Sequence, residues 1–206
     1  MKTLKSYSLL LFSYFIIVSF LTSCSDSDDS IVTTNNLTQT ETEALLFMLE
    51  EEKLARDTYE FLDNQWALAQ FANIKLSEQS HMDAVISLLE QNAVSYNVLP
   101  YGEFANSDLQ GFYDQFITVG TQSQIQALQV GATIEDLDIV DLEDWINEID
   151  NPTIIAVFRN LQCGSRNHLR SFTSALVNLG SEYVPQFLSQ QEYDEIVAGN
   201  NEQCNF

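Results

Sequence analysis

The sequence predicts an all-α fold, a four-helix bundle with short extra helices between the second and third long helices and at the C-terminus. The chain has 206 residues, 45% of them hydrophobic, with only seven Gly and three Pro. Apolar residues recur at helical spacings of three and four, and no segment alternates as a half-buried strand would. Four long helices with one apolar stripe each bury those stripes most economically against one another.

Seven helices account for this pattern. The long helices A, B, C and D are predicted over residues 41–65, 67–91, 133–149 and 153–179, and the short ones over 108–117, 123–130 and from Ser189 onward. Ser189 and Glu192 have the spacing of a capping box, and Pro152 suits the start of helix D. We therefore assign residues 41–182 to the bundle domain and 183–206 to a C-terminal helix and tail.

The N-terminal residues are typical of an export signal rather than of a fold. Lys2 and Lys5 precede an apolar run over residues 9–21, which is short for a membrane span. The run ends in Leu-Thr-Ser followed by Cys24, which resembles a bacterial lipobox. We expect residues 1–23 to be removed, Cys24 to carry lipid and residues 24–40 to form a flexible tether. The alternative is an ordinary secretory signal.

The strongly acidic charge of the chain limits the classes of molecule that it can bind. The net charge is −22, and without residues 1–23 six Lys and Arg side chains face 30 acidic ones. Such a surface repels nucleic acid and anionic lipid head groups, so no nucleic-acid partner is expected. We expect an exported, membrane-anchored lipoprotein of the cell envelope, periplasmic or surface-facing, that contacts the membrane through its lipid.

Each predicted apolar stripe is interrupted by polar residues in its interior. The residues that interrupt it are Glu52 on helix A, Glu78 and His81 on helix B, Glu135 and Asp138 on helix C, and His168 on helix D. A buried ionised carboxylate costs several kcal/mol unless it is paired or binds a cation. Two divalent cations would balance the four carboxylates, and the only two histidines of the chain would be neutral ligands. The stripes therefore predict a metal site of these six residues.

The residue types also indicate which metal fits. Glu78 and His81 are three apart, so both side chains reach the same side of a helix. Carboxylates and imidazoles suit iron or manganese, and zinc is an alternative. Around these ligands we place Tyr59, Arg56, Ser165 and Arg170, although Tyr59 could simply pack in the core and the arginines could form surface ion pairs.

Four segments carry a resemblance to known families. They are residues 51–57 (EEKLARD), 77–83 (SEQSHMD), 134–138 (IEDLD) and 164–170 (GSRNHLR). With residues 43–197 as a whole, they resemble the bacterial ferritin-like domain of unknown function 2202. Residues 52–59, Glu78 with His81, Glu135 with Asp138, and His168 resemble the helix signatures of rubrerythrin-like proteins of the ferritin superfamily. The resemblance implies a ferritin-like four-helix bundle with a diiron-like carboxylate–histidine site.

One position departs from the diiron pattern, which has a second Glu-x-x-His pair on the fourth helix. Ser165 stands at the position of that Glu, after Gly164. Asp138 could supply the missing charge from helix C, or one metal position could be weak, mononuclear or empty. Gly164 and Ser165 could also kink helix D and move His168.

The remaining cysteines leave two alternatives open. Cys163 and Cys204 could form a disulfide that joins the C-terminal tail to helix D, as suits an exported protein, or stay as free thiols. The chain has no Cys-x-x-Cys pair, which excludes a rubredoxin-like iron centre.

Two classes of function remain open, and no catalytic residue is assigned. The first is an oxidoreductase that acts on oxygen, peroxide or metal ions, with electrons from an external donor. The second is a non-enzymatic envelope protein, either a metal-binding module or a helical scaffold that docks a partner. A homodimer is compatible with either class, and fold alone implies no reaction.

Overall fold

The computed structural model describes residues 37–204, which form helices and loops without a strand in that range. The helices are α1 (Gln39–Trp66), α2 (Ala69–Gln91), α3 (Ser107–Gly120), α4 (Gln124–Glu148), α5 (Pro152–Asn178) and α6 (Gln190–Ala198). The all-α bundle predicted from the sequence is confirmed. Residues 1–36, which include the predicted signal, Cys24 and most of the tether, lie outside the described range.

Local sequence signals fix where several helices begin. Thr38 caps α1 and forms a capping box with Glu41. Asn151 caps α5 with its side chain, directly before Pro152. The capping box predicted at Ser189 is confirmed at the start of α6. These caps satisfy amide groups that have no partner in the first helical turn.

The prediction was wrong about the region before helix C. The short helix over residues 123–130 and helix C over 133–149 are one continuous helix, α4. Gly131 lies inside it and does not end it. A Cβ at Gly131 would come within 2.5 Å of the Phe172 ring, so the glycine allows α4 and α5 to approach closely.

The long helices pack as the pairs α1–α2 and α4–α5, and the pairs meet where α1 contacts α4 and α2 contacts α5. Two apolar clusters fill the bundle. One includes Leu45, Leu89 and Phe158, and the other includes Leu62 and Phe172. Along α1, α2 and α5, the predicted metal-site residues lie between the segments that form these two clusters, whereas on α4 they lie between Ile134 and Ile139 of the second cluster.

The C-terminal segment is held against the bundle by polar contacts. Buried Asp136 accepts hydrogen bonds from the Tyr183 hydroxyl and from the backbone N–H groups of residues 186, 187 and 188. A disulfide joins Cys163 and Cys204, so the free-thiol alternative does not hold. Arg170 donates to Glu202 at 2.8 Å and therefore binds the tail rather than a predicted metal ligand. Within residues 37–204, no helix is long and apolar enough to cross a bilayer.

Candidate metal centre

Five of the six predicted ligands converge between the two apolar clusters. His81 Nδ1 lies 3.1 Å from Glu52 Oε2 and 2.8 Å from Glu78 Oε2. His168 Nδ1 lies 2.8 Å from Glu78 Oε1 and 3.4 Å from Glu135 Oε2. The helices α1, α2, α4 and α5 each contribute at least one of these side chains. Residues far apart in the sequence thus form a single cluster.

The five side chains form two groups that could each hold a cation. Glu52, Glu78 and His81 offer ligand atoms that lie within 4.8 Å of one another, and so do Glu78, Glu135 and His168. Glu78 belongs to both groups, with one carboxylate oxygen directed at each histidine. The arrangement therefore offers two adjacent positions that share one carboxylate.

Oε1 of Glu52 is buried without a hydrogen-bond partner. Oε1 of Glu78 and Nδ1 of His168 are also buried and face each other at 2.8 Å. Leaving such groups unpaired costs about 1–3 kcal/mol each, and more when the group is charged. Lone pairs of carboxylates and neutral imidazoles are the donors that iron, manganese and zinc accept. The residues present therefore fit a pair of divalent cations.

Protons and cations are alternative ways to balance the charge of this cluster. Burial lowers the pKa of His168, but the carboxylates of Glu78 and Glu135 outweigh it and raise that pKa to about 10. Burial raises the pKa of Glu52 to about 7, although His81 opposes it. Burial would also raise the pKa of Glu78, yet the two imidazoles hold it well below its usual range. A bound cation would take the place of the imidazole protons.

Ser77 orients both imidazoles from the side opposite the carboxylates. Its Oγ lies 3.1 Å from His168 Nε2 and 3.5 Å from His81 Nε2. A hydroxyl can donate one hydrogen bond and accept another, so one serine can contact both rings. These contacts leave Nδ1 of each ring directed at the carboxylates. Such outer contacts commonly fix the tautomer of metal-binding histidines.

Tyr59 belongs to the apolar cluster that includes Leu62 and Phe172, and it contacts the candidate ligands from there. Its hydroxyl donates to Glu135 Oε1 at 2.5 Å, and its ring packs against Phe71 and Phe172. Burial and the charge of Glu135 raise the pKa of Tyr59 well above its usual range, so it keeps its proton. Tyr59 is therefore both a core residue and a hydrogen-bond donor to a candidate ligand.

Asp138 lies beside the two groups rather than within them. Its Oδ2 accepts a short hydrogen bond from Ser165, and its Oδ1 is buried without a partner. Ser165, which the resemblance aligns with a diiron Glu, thus binds Asp138. The helix continues without interruption through Gly164 and Ser165, and His168 still reaches the cluster.

Arg56 supports the outer side of α1 instead of contacting a ligand. Its guanidinium donates to Asp57 at 2.6 Å and to Gln79, the neighbour of Glu78, at 2.7 Å. Lys53 reaches the same Asp57 carboxylate at 2.6 Å. The hydrogen bond between Arg56 and Gln79 links α1 to α2 next to the cluster.

The absence of a side chain at Gly164 leaves room for the imidazole of His81. A Cβ at this position would come within 2.7 Å of His81 Nε2, which is closer than real Cβ atoms approach other groups. The imidazole therefore occupies the volume that a side chain on α5 would need. Sequence reasoning considered Gly164 only as a helix kink, because its partner is 83 positions away in the chain.

We expect Gly164→Ala to displace His81 and to weaken the group formed by Glu52, Glu78 and His81. Metal content measured by elemental mass spectrometry should fall by about half relative to the unchanged chain, since the other group keeps His168. Gly111→Ala is the matched control, because a Cβ there meets nothing within 4 Å. Equal metal content in both variants would show that His81 is not needed for binding.

The fold and this cluster define a helical-bundle protein with a buried carboxylate–histidine site. The chain belongs to the family described as an uncharacterized protein domain, DUF2202, whose match covers residues 41–200. It is 49% identical over 168 residues to uncharacterized protein MJ0754 of Methanocaldococcus jannaschii, covering 81% of this chain and 91% of that protein. The crystal structure of hypothetical protein MJ0754 from Methanococcus jannaschii DSM 2661 matches with a TM-score of 0.79 and covers 96% of that chain.

Proposed function

We propose that this protein binds two divalent cations, iron or manganese, between its four long helices, as a ferritin-like protein. The observation that carries the proposal is the pair of ligand groups that share Glu78, together with Glu52 Oε1, which is buried without a hydrogen bond. Zinc is the alternative metal. Glu52 and His81 would hold one cation, Glu135 and His168 the other, and Glu78 would contact both.

We further propose an oxidoreductase that acts on oxygen, peroxide or the metal ions themselves. Bound iron or manganese would supply the capacity for electron transfer. His81 and Glu78 are 0% and 2% exposed, so only a small molecule or ion could reach such a centre. Tyr59 would hold its proton at Glu135 Oε1, and Ser77 would orient the two imidazoles. Electrons would come from an external donor.

A second candidate function is that of a cell-envelope protein that is stabilised by bound metal but catalyses no reaction. The observation that favours it is Ser165, which binds Asp138 where the diiron pattern would have another ligand. Both candidates suit an exported lipoprotein anchored through Cys24. That location rests on the N-terminal sequence and is tested by labelling with radioactive palmitate, which Cys24→Ser should abolish.

Metal content tests the proposal directly. The full chain is purified in detergent, stripped with chelator, reloaded with iron, manganese or zinc, and measured by elemental mass spectrometry. We expect about two metals per chain, lost when His81→Ala and His168→Ala are combined. About one metal would indicate a mononuclear site, and none with any metal would contradict the proposal. A metal-dependent rate with peroxide or oxygen would separate the enzyme from the module.

We expect cation binding to release protons and to strengthen as pH rises from about 6 to about 8. The pKa of His168 is raised to about 10, so its imidazole carries a proton at neutral pH that a cation must displace from Nδ1. Calorimetry in two buffers of different ionisation enthalpy measures the protons released per cation. A binding constant independent of pH, with no proton release, would show that the imidazoles are not ligands.

A further inference from the structure

The disulfide between Cys163 and Cys204 lies beside the candidate metal centre, on the neighbouring side of α5. Cys163 and Asn167 are four positions apart and share one side of the helix, and Asn167 donates to Cys204 Sγ at 3.4 Å. The residues that follow them, Gly164 and His168, face the centre. A helix with its side chains is about 10–12 Å across, so the sulfur atoms lie within about that distance of the imidazoles. The disulfide is therefore close enough to exchange electrons with the centre.

The segment that carries Cys204 is also held in place by contacts that do not depend on the disulfide. Glu202 accepts from the guanidinium groups of Arg166 and Arg170, each at 2.8 Å. The side chain of Asn167 accepts from the backbone N–H of Glu202 at 2.9 Å and donates to its carbonyl at 3.1 Å. These contacts would keep the two sulfur atoms adjacent after the S–S bond is broken, so the bond can form again.

The two cysteines differ in how far a reagent can reach them. Cys163 is buried, whereas Cys204 is half-buried and follows the exposed Gln203. Thiol–disulfide exchange begins when a thiolate attacks one sulfur atom of the disulfide. An external dithiol reductant would therefore attack Cys204 Sγ and release Cys163 as the leaving thiol.

We propose that Cys163 and Cys204 form a dithiol–disulfide pair that passes electrons from an external dithiol reductant to the metal centre. In this step the two thiols lose two electrons and two protons and form one S–S bond. The electrons replace the two that the centre gives to an oxidant such as peroxide, which takes up two protons and leaves as two water molecules. The external reductant then restores both thiols and itself becomes a disulfide. This role rests on the proposed oxidoreductase function and names the class of its electron donor.

The first measurement tests whether the pair can be reduced while the chain stays folded, and it needs no metal. The full chain, purified in detergent and stripped with chelator, is treated with dithiothreitol, and the thiols at 163 and 204 are counted by alkylation and mass spectrometry. We expect both thiols to appear while circular dichroism keeps its helical signal, because the contacts of Glu202 hold the segment. A disulfide that resists reduction until the chain unfolds would overturn the proposal.

The second measurement follows disulfide formation in the reduced chain, which is loaded with Fe²⁺ and given one equivalent of peroxide. We expect the S–S bond to form at least about tenfold faster than in the metal-free chain, because a buried thiol reacts slowly by itself. The chain loaded with Zn²⁺ is the matched control, since zinc accepts the same ligands but has no redox chemistry. The combined variant His81→Ala and His168→Ala, given the same iron, controls for iron outside the centre.

The outcomes distinguish the donor role from the metal centre itself. Metal content is measured on the same samples by elemental mass spectrometry. Equal rates of disulfide formation in chains that hold Fe²⁺ and Zn²⁺ would overturn the donor role alone and leave the disulfide as a structural link. An unchanged chain that holds no iron would overturn the proposed metal centre, and the donor role with it.

Discussion

Glu78→Gln is expected to abolish metal binding at both positions, although it changes only one oxygen to an amide. Glu78 is the one residue common to both ligand groups, and each of its oxygens lies 2.8 Å from a histidine. The amide carries no charge and offers one ligand oxygen in place of two. Elemental mass spectrometry of the reloaded chain should find less than about one tenth of the metal of the unchanged chain, since affinity depends on ligand number and charge.

Stability gives a second measurement of the same change. Divalent metal should raise the melting temperature of the unchanged chain, because a ligand that binds only the folded state stabilises it. The increase should disappear in Glu78→Gln and persist in Glu90→Gln, which removes the same charge from an exposed position of α2. Full metal content in Glu78→Gln would contradict the assignment of a shared carboxylate.

Asp57→Asn is expected to destabilise the chain by about 3–5 kcal/mol, the usual cost of leaving a buried charge without its partner. Asp57 is fully buried and accepts from Lys53, Arg56 and the Gly102 N–H. Lys53 is only 2% exposed and would keep two backbone carbonyl acceptors, those of Pro100 and Glu103. Denaturant unfolding followed by circular dichroism measures the loss.

A more exposed ion pair, Lys75 with Asp63, serves as the control for the buried pair of Lys53 and Asp57. Lys75 and Asp63 form an ion pair at 2.8 Å whose side chains are 24% and 20% exposed. Asp63→Asn should cost no more than about 1 kcal/mol, because solvent screens such pairs. Combining Lys53→Met with Asp57→Asn should recover part of the loss. If Asp57→Asn costs no more than Asp63→Asn, the buried pair does not contribute as its geometry implies.

Helical periodicity accounts for most of what the sequence predicted correctly. Spacings of three and four place Glu52, Glu78, His81, Glu135 and His168 on inward stripes, and these five residues converge in the structure. The same periodicity could not say whether α4 continues through Gly131. Gly131 is needed because the Phe172 ring occupies the space of a Cβ at that position. Phe172 lies 41 positions later in the chain, so no local sequence pattern predicts the contact.

Residues that act through tertiary contacts were missed for the same reason. Ser77 is an ordinary polar residue of α2 until its hydroxyl is seen between two imidazoles. Glu51 does not lie on the predicted inward stripe of α1, yet it is as deeply buried as Glu52. In the run of three glutamates at 50, 51 and 52, periodicity shows only Glu52 as an inward position. Only the approach of α4 buries Glu51, next to Asp138 and Asp141.

The close contact between Gly164 and His81 has a consequence for how the family can diversify. A side chain at position 164 and the imidazole at position 81 compete for the same volume, so neither position can change independently. A relative with a smaller residue at position 81 could accommodate a side chain at position 164. A relative with a side chain at position 164 would have no space for the imidazole at position 81. The two positions should therefore covary across relatives, as a linked pair that marks which members retain the histidine on the second helix.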